Sequence, residues 1–442
     1  MPKFRHRSLS DSACVSLSAV GDLYIGKALR SEESPAFHAA IERFRDADIR
    51  FANLEFQLIS SDMPAAALAG GAWAAGPESL GEELAWLGTT VVSTANNHAG
   101  DYGAAGIRNT QACLRHLGIS YCGTGSDLGQ ARMPAYANSA GGRVAFISVS
   151  SSYMQHARAG APGVDVQGRP GVSPLRFGTQ YHVDAQAYRE LARILDKLPV
   201  NRTHRERPLQ RNDNKTDRPS LDFFGMEFVE DTQFGVESWP AHKDVTDIQA
   251  CIAQARQDAD WVVVSLHTHE YDSAPDHPSG FARRFAQACI DAGADAVLGH
   301  GHHGLRGVEV YEGKPIFHGM GPFVFQPYLF PRQPADFFEA YDLQHASLAE
   351  VYAARREAAG FFKHREYWEA MLVHLQLHPG APPCFRIHPI SLWPDAAHEP
   401  DGLPHLAEGN RGREILAKIQ DLSQRLGTAL HLNDETLTLS TA

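Results

Sequence analysis

The chain has no apolar run approaching the roughly 18 residues that a membrane-spanning helix requires, and residues 1–12, although they carry Lys3, Arg5 and Arg7, hold no hydrophobic stretch resembling a secretion signal. Those absences lead to the expectation of a soluble, cytoplasmic protein with no membrane partner. Cysteine is sparse and unpaired. The six, at positions 14, 113, 122, 251, 289 and 384, include no Cys-x-x-Cys, which excludes a paired-cysteine metal or redox motif. They read as reduced thiols used as small hydrophobes. Positive charge is in deficit, with 40 Lys and Arg against 52 Asp and Glu and a formal net charge of -12. This balance gives no overall attraction for nucleic acid and leaves only a local positive pocket for an anion.

The 442 residues exceed what one core usually serves, since single cores rarely grow beyond about 250–300 residues. The pattern along the chain is strand and amphipathic helix in alternation, the mark of a layered α/β fold. Strands are expected at 15–20, 49–52, 91–95, 119–122, 143–149, 261–266 and 294–298, with helices at 35–46, 78–87, 103–117, 245–257 and 278–292 between them. Residues 308–311 and 314–318 read as a hairpin turning at Gly313. Between 151 and 242 the regularity fades, and the run from Arg202 to Arg218 reads most simply as an exposed basic loop, or as a lid bringing cations over an anionic substrate. Beyond 331 the rhythm stops, and residues 331–442 form an expected α+β extension packed on a catalytic unit of residues 13–330.

Chemistry collects where the strands end. The densest stretch is Leu298-Gly-His-Gly-His-His-Gly304, where three histidines come after a buried strand and a turn can aim several imidazoles at one point, favouring a metal or catalytic role. Gly21-Asp22, Asn53-Leu-Glu55, Asn96-Asn-His98 and His267-Thr-His-Glu270 stand after four other strands. Singly, each has a bland reading. Gly-Asp makes turns, and Asp101 or its neighbours can cap the helix that begins near Gly103. Capping needs one side chain, however, and leaves two amides followed by an imidazole unexplained. Five clusters at five strand ends support one another.

Taken in order, these motifs, together with Asp101-Tyr102-Gly103, Asp291-Ala-Gly-Ala-Asp295, Gly299-His300-Gly301 with His303, and Gly313-Lys-Pro-Ile-Phe317 followed by Gly321 and Phe323, resemble the CapA family of capsule and poly-γ-glutamate synthesis proteins over about residues 15–326. The catalytic domain of that family is similar to calcineurin-like metallophosphoesterases. The resemblance implies a four-layer α/β/β/α sandwich with a two-metal centre at the strand ends. It implies Asp22, Glu55, Asn97, His267 and His300 or His303 as ligands, with His98 as the catalytic imidazole. The chain departs from the family pattern at His267-Thr268-His269, at His302, at His318 and at Met320-Gly321-Pro322-Phe323. Two extra imidazoles therefore enter the site, so that His302 joins the candidate ligands and His269 joins His98 and Asp101 as a candidate catalytic group. Asn96, Glu270 and His318 are candidate substrate contacts.

Carboxylate, amide and imidazole donors together suit two borderline divalent ions such as Mn, Fe or Zn, which activate a water and bind the oxygen that gains charge. The expected function is a metal-dependent hydrolase of a small anionic substrate, foremost a phosphoester. The alternatives are hydrolysis of an amide or other C–N bond in a small acid or glutamyl compound, and a non-catalytic polymer-binding or assembly protein. A homo-oligomer is left open.

Overall fold

Strand Val15–Tyr24 is buried at nine of its ten positions, so both of its faces are covered, as in the centre of a parallel sheet. In the computed structural model, which describes residues 14–198, 220–393, 400, 402–433 and 435–439, this strand lies inside a ten-stranded sheet. On one side, parallel neighbours Ile49–Leu54, Val91–Ser93 and Ser120–Cys122 come in sequence order. On the other, its first half pairs antiparallel with Glu369–Leu377 and its second half parallel with Pro322–Phe325. Cys384–Ser391, Thr436–Leu439 and Leu430–Asn433 extend that side. The segment after 331 thus shares the sheet that holds the first strand.

A second sheet of six strands runs in the order Leu305–Tyr311, Lys314–Met320, Ala296–Gly301, Trp261–Thr268, Arg143–Ser150, Ala135–Asn138, with the inner pairs parallel. One core cluster draws on both sheets, among them Leu17 and Phe51 from the first and Phe146, Val263, Leu298 and Phe317 from the second. Phe51 and Phe146 stack at 5.6 Å across the join. The other residues of the first sheet, such as Val20, Leu54 and Val92, pack with the helices. Helix Pro35–Arg45, capped by Ser34, presents Phe37, Ala40, Ile41 and Phe44 at the i, i+3, i+4, i+7 spacing of one face. Helices His242–Asp258 and Gly280–Asp291 do the same for Val262, Val264 and Val297 of the second sheet. The fold is therefore mixed α/β, built on two large sheets and their helices.

Residues 151–242 hold more order than the sequence announces. Ser220–Phe223, Met226–Glu230, Phe177–Val183 and Gly235–Pro240 form a four-stranded sheet, and Ala185–Lys197 is a helix with no buried residue. The strands are largely half-buried or exposed and mix polar with apolar residues, so no apolar run marks them. The basic stretch from Arg202 to Arg218 lies outside the described residues. All six cysteines are free thiols, and burial pushes that of Cys122 up to about 11.

Candidate metal centre

Strand register builds the site. Asp22 stands opposite Asn53 in the first sheet, and His267 stands opposite His300 in the second. Because both sheets carry their loops at the same ends, Glu55, the Asn96-Asn97-His98 turn, His269 and His303 come in from the residues just beyond. Among the described residues, three groups have donor atoms all within 4.8 Å of one another: Asp22, His267 and His300; Glu55, His267 and His269; Asp22, Glu55 and His303. His267 and Asp22 each belong to two of these groups, so the three form one centre.

His267 is the hub. Its Nδ1 lies 3.0 Å from His300 Nδ1, and its Nε2 lies 3.0 Å from Asn97 Oδ1 and 3.1 Å from His269 Nε2. Asp22 Oδ1 and Oδ2 lie 3.4 and 3.3 Å from the Nδ1 atoms of His300 and His303. Ser265 Oγ, 2.7 Å from His300 Nε2, holds the far side of that ring and turns Nδ1 toward Asp22. Asn53 donates to Asp22 Oδ1 at 2.8 Å and accepts from Asn96 Nδ2 at 3.2 Å.

The chemistry of the donors fits a divalent cation. Glu55 is fully buried, and among the described residues neither of its carboxylate oxygens has a hydrogen-bond partner. A buried carboxylate left unpaired costs several kcal/mol, and its neighbours within ion-pair reach are His267 and His303 at 3.9 and 4.0 Å. Burial, reinforced by the charges of Asp22 and Asp101, pushes Glu55 well above the usual carboxylate range. Burial also pushes Asp22 upward, but contact with His300 and His303 wins and holds it well below that range. His267 is driven well below its ordinary value by burial and by His269 and His300, and His269 is driven down to about 3 by burial and by His303. These two imidazoles therefore stay neutral at neutral pH and offer lone pairs. His303 has φ +61°, a left-handed conformation uncommon outside glycine, and its Nδ1 is buried without a hydrogen bond.

Beside the cluster, His98 Nδ1 lies 2.7 Å from Asp101 Oδ2, which also accepts the Ala74 amide at 2.7 Å. Helix Gly103–His116 begins at Tyr102 with no side-chain cap bond, so the Asp101 carboxylate is engaged with His98 and not with the helix end. Among the described residues no hydrogen bond is made to His98 Nε2, which leaves that atom for another partner.

The remaining sequence candidates sit elsewhere. The Asn96 side chain is taken up by Leu54 O, Asn53 and the His98 amide, bracing the turn. Glu270 accepts from Ser151, Ser152 and Thr268 hydroxyls, and its carbonyl accepts from Arg306. His302, pushed well below its ordinary value by burial, accepts the Gly304 amide at 3.3 Å and belongs to none of the three groups. His318 is not brought to the centre: its Nε2 lies 2.9 Å from Glu309 Oε2, and Arg283 and Gln287 of helix Gly280–Asp291 also grip that carboxylate. Sequence reasoning missed Asn53 as the brace of Asp22 and Ser265 as the orienter of His300. Ser265 had a signal, a hydroxyl in the otherwise apolar Trp261-Val-Val-Val-Ser-Leu266.

The family model described as the bacterial capsule synthesis protein PGA_cap matches residues 16–327. An uncharacterized protein of Sinorhizobium fredii, y4uA, is 31% identical over 94% of this chain and 91% of its own. The PGA biosynthesis protein CapA of Bacillus subtilis is 45% identical over 17% of this chain and 19% of its own, and the capsule biosynthesis protein CapA of Bacillus anthracis is 25% identical over 54% and 40%. A hypothetical protein from Thermus thermophilus, a solved structure, aligns with a TM-score of 0.30 at 13% identity over 88% of this chain and 95% of that one. No helix of the described residues is long and apolar enough to cross a membrane. With a family model covering most of its length and a relative of that identity covering nearly all of it, this chain belongs to the CapA family of bacterial capsule synthesis proteins.

Proposed function

We propose that this protein is a hydrolase that uses two divalent ions and acts on a small anionic substrate, a phosphoester first. The observation that carries the reading is the buried, unpartnered Glu55 carboxylate facing Asp22 and neutral imidazoles, with the His98–Asp101 pair alongside. The three core clusters support the four-layer α/β/β/α, metallophosphoesterase-like arrangement of residues 13–330, and the strands after 331 continue its first sheet outward from Val15–Tyr24.

Asp22, Glu55, Asn97, His267, His300 and His303 would hold the ions, His269 joins the donor group of Glu55 and His267, and His302 belongs to none of the groups. Bound there, Mn, Fe or Zn supplies Lewis acidity and a water of lowered pKa. The chain itself does the rest. Asp101 fixes the tautomer of His98 by accepting from Nδ1, so Nε2 is the atom that delivers or takes a proton at the leaving group. Asn53 and Ser265 keep Asp22 and His300 in place while substrate comes and goes.

A second reading, cleavage of a γ-glutamyl amide or similar C–N bond, draws support from a relative named for PGA biosynthesis. Purely structural binding of a capsule polymer gives the His98–Asp101 pair no task. Elemental analysis after reconstitution with Mn, Fe and Zn, followed by assay against phosphoesters and γ-glutamyl amides, tests the proposal. Close to two ions per chain and turnover of one substrate class are expected. A protein that takes up no metal would overturn it.

A further inference from the structure

Arg355 lies on helix Leu348–Ala358, beyond the residues that the family model matches, yet it reaches the candidate site. One end of its guanidinium is fixed: Nη1 donates to Pro327 O at 3.1 Å, and the group stands 5.4 Å from the Phe362 ring and 5.8 Å from that of Tyr328. The other end, Nη2, comes to the same side of Gly71 as the imidazole of His98. A Cβ built on Gly71 would lie 3.9 Å from His98 Cε1 and 4.0 Å from Arg355 Nη2, with no other atom that close. Gly71 has φ +154°, a backbone conformation that favours glycine.

Among the described residues no carboxylate pairs with Arg355, and Nη2 is neither hydrogen-bonded nor among the buried unpartnered atoms, so solvent reaches it. Tyr24, whose ring lies 5.3 Å from His98, senses the same cation: burial pushes its phenol well above the ordinary value while Arg355 pulls the other way. Packing on aromatics accounts for the position of the guanidinium. It does not account for an unmatched donor edge beside His98, and a planar fork of N–H groups is shaped for an oxyanion.

We propose that Arg355 binds an oxyanion of the substrate, a phosphate or a carboxylate, between itself and His98, and so selects acidic small molecules for this site. The inference rests on the hydrolase reading. The test measures binding of inorganic phosphate and of succinate by calorimetry, on protein as purified and after metal reconstitution, for the wild type, Arg355→Gln and Arg355→Lys. Arg355→Gln should weaken at least one probe about 10- to 100-fold with metal content unchanged, and Arg355→Lys should fall between. Weakened phosphate binding places a phosphoryl group there, and weakened succinate binding alone places a carboxylate there. Affinity for both probes equal to that of the wild type, or no binding by the wild type, overturns the inference. In wild-type protein, needing no folded variant, the bound probe should slow phenylglyoxal modification of Arg355 as read by mass spectrometry, and absence of protection also overturns it. Failure of the hydrolase reading looks different, as missing metal or missing turnover with Arg355-dependent anion binding intact.

Discussion

Replacing Glu55 by Gln keeps the volume of the side chain and removes the charge that the site cannot otherwise satisfy. Without metal, the Glu55 carboxyl sits well above its ordinary range because of burial and of Asp22. A carboxyl raised in the folded state stabilises fully below its unfolded value and loses that contribution as pH rises toward the folded one, so the metal-free wild type should weaken with rising pH. Metal-free Glu55→Gln should lack that slope and be at least as stable near neutrality. Metal reverses the ranking, since each ion that binds only the native state at 100 times its Kd adds about 2.7 kcal/mol. For 442 residues at about 2.1 cal/mol/K each, the unfolding entropy is about 0.9 kcal/mol/K, so wild-type Tm should rise by about 3 °C for each ion bound, about 6 °C for two. The rise in Glu55→Gln should be well under half of that, with elemental analysis showing reduced occupancy. Scanning calorimetry with and without Mn at pH 6 and 8 reads both effects. A variant that keeps the wild-type metal load and the wild-type Tm rise at both pH values would refute the assignment of Glu55 as the anion awaiting a cation.

His98→Ala should keep metal content and Tm nearly unchanged while turnover falls about 10²- to 10⁴-fold, the usual loss for one general acid; a variant that sheds metal would instead make His98 a ligand. Ser265→Ala frees His300 Nε2, 2.7 Å from that hydroxyl, and should weaken metal binding about 10- to 100-fold in a chelator titration, with unchanged affinity removing Ser265 from the site. Glu309 is drawn from 4.5 down to about 2, against burial, by His318, Arg283 and Gln287. Its contribution is therefore complete above about pH 4.5 and fades as pH falls toward 2, an amount on the order of 2–3 kcal/mol. Denaturant melts of wild type and Glu309→Gln should differ most at neutral pH and converge near pH 2, and a gap that stays constant with pH would contradict the pairing.

The alternation of helix and strand was legible because the strands of both sheets are buried on two faces and so read as continuous apolar runs, such as Val262-Val-Val264 and Ala296-Val-Leu298. The convergence of Asp22, Glu55, Asn97, His267 and His300 was legible for a related reason: parallel strands of one sheet deliver their loops to a common edge, so ligand-type residues after successive strands meet. What sequence could not supply was register across strands. That Asn53 stands beside Asp22, and so braces it, depends on which residues pair. The same limit misled at His318, where a departure from the family pattern looked functional; strand alternation turns that ring toward Glu309 and helix Gly280–Asp291, while its neighbour Phe317 enters the core between the sheets.

The segment after residue 331 carries no motif, and its place in the fold was hidden for that reason. Its strands were visible, but nothing in their sequence told that Glu369–Leu377 would pair with the first strand of the chain, residues 15–19, and so anchor that end of the molecule beside the centre. Once anchored, a helix of the same segment brings Arg355 Nη2 to the same side of Gly71 as His98 Cε1, a meeting of residues far apart in sequence that no spacing rule encodes. The donor cluster is built from residues 22–303, inside the stretch that the family model matches, whereas Arg355 lies outside it. On the proposed reading, the centre in the matched stretch supplies reactivity and the guanidinium from beyond it supplies the choice of substrate, so the two belong to different parts of one chain. Under that division, substitutions at Arg355 should change which anions compete while leaving metal content alone, and substitutions at Asp22 or His267 should lower metal content for every substrate alike.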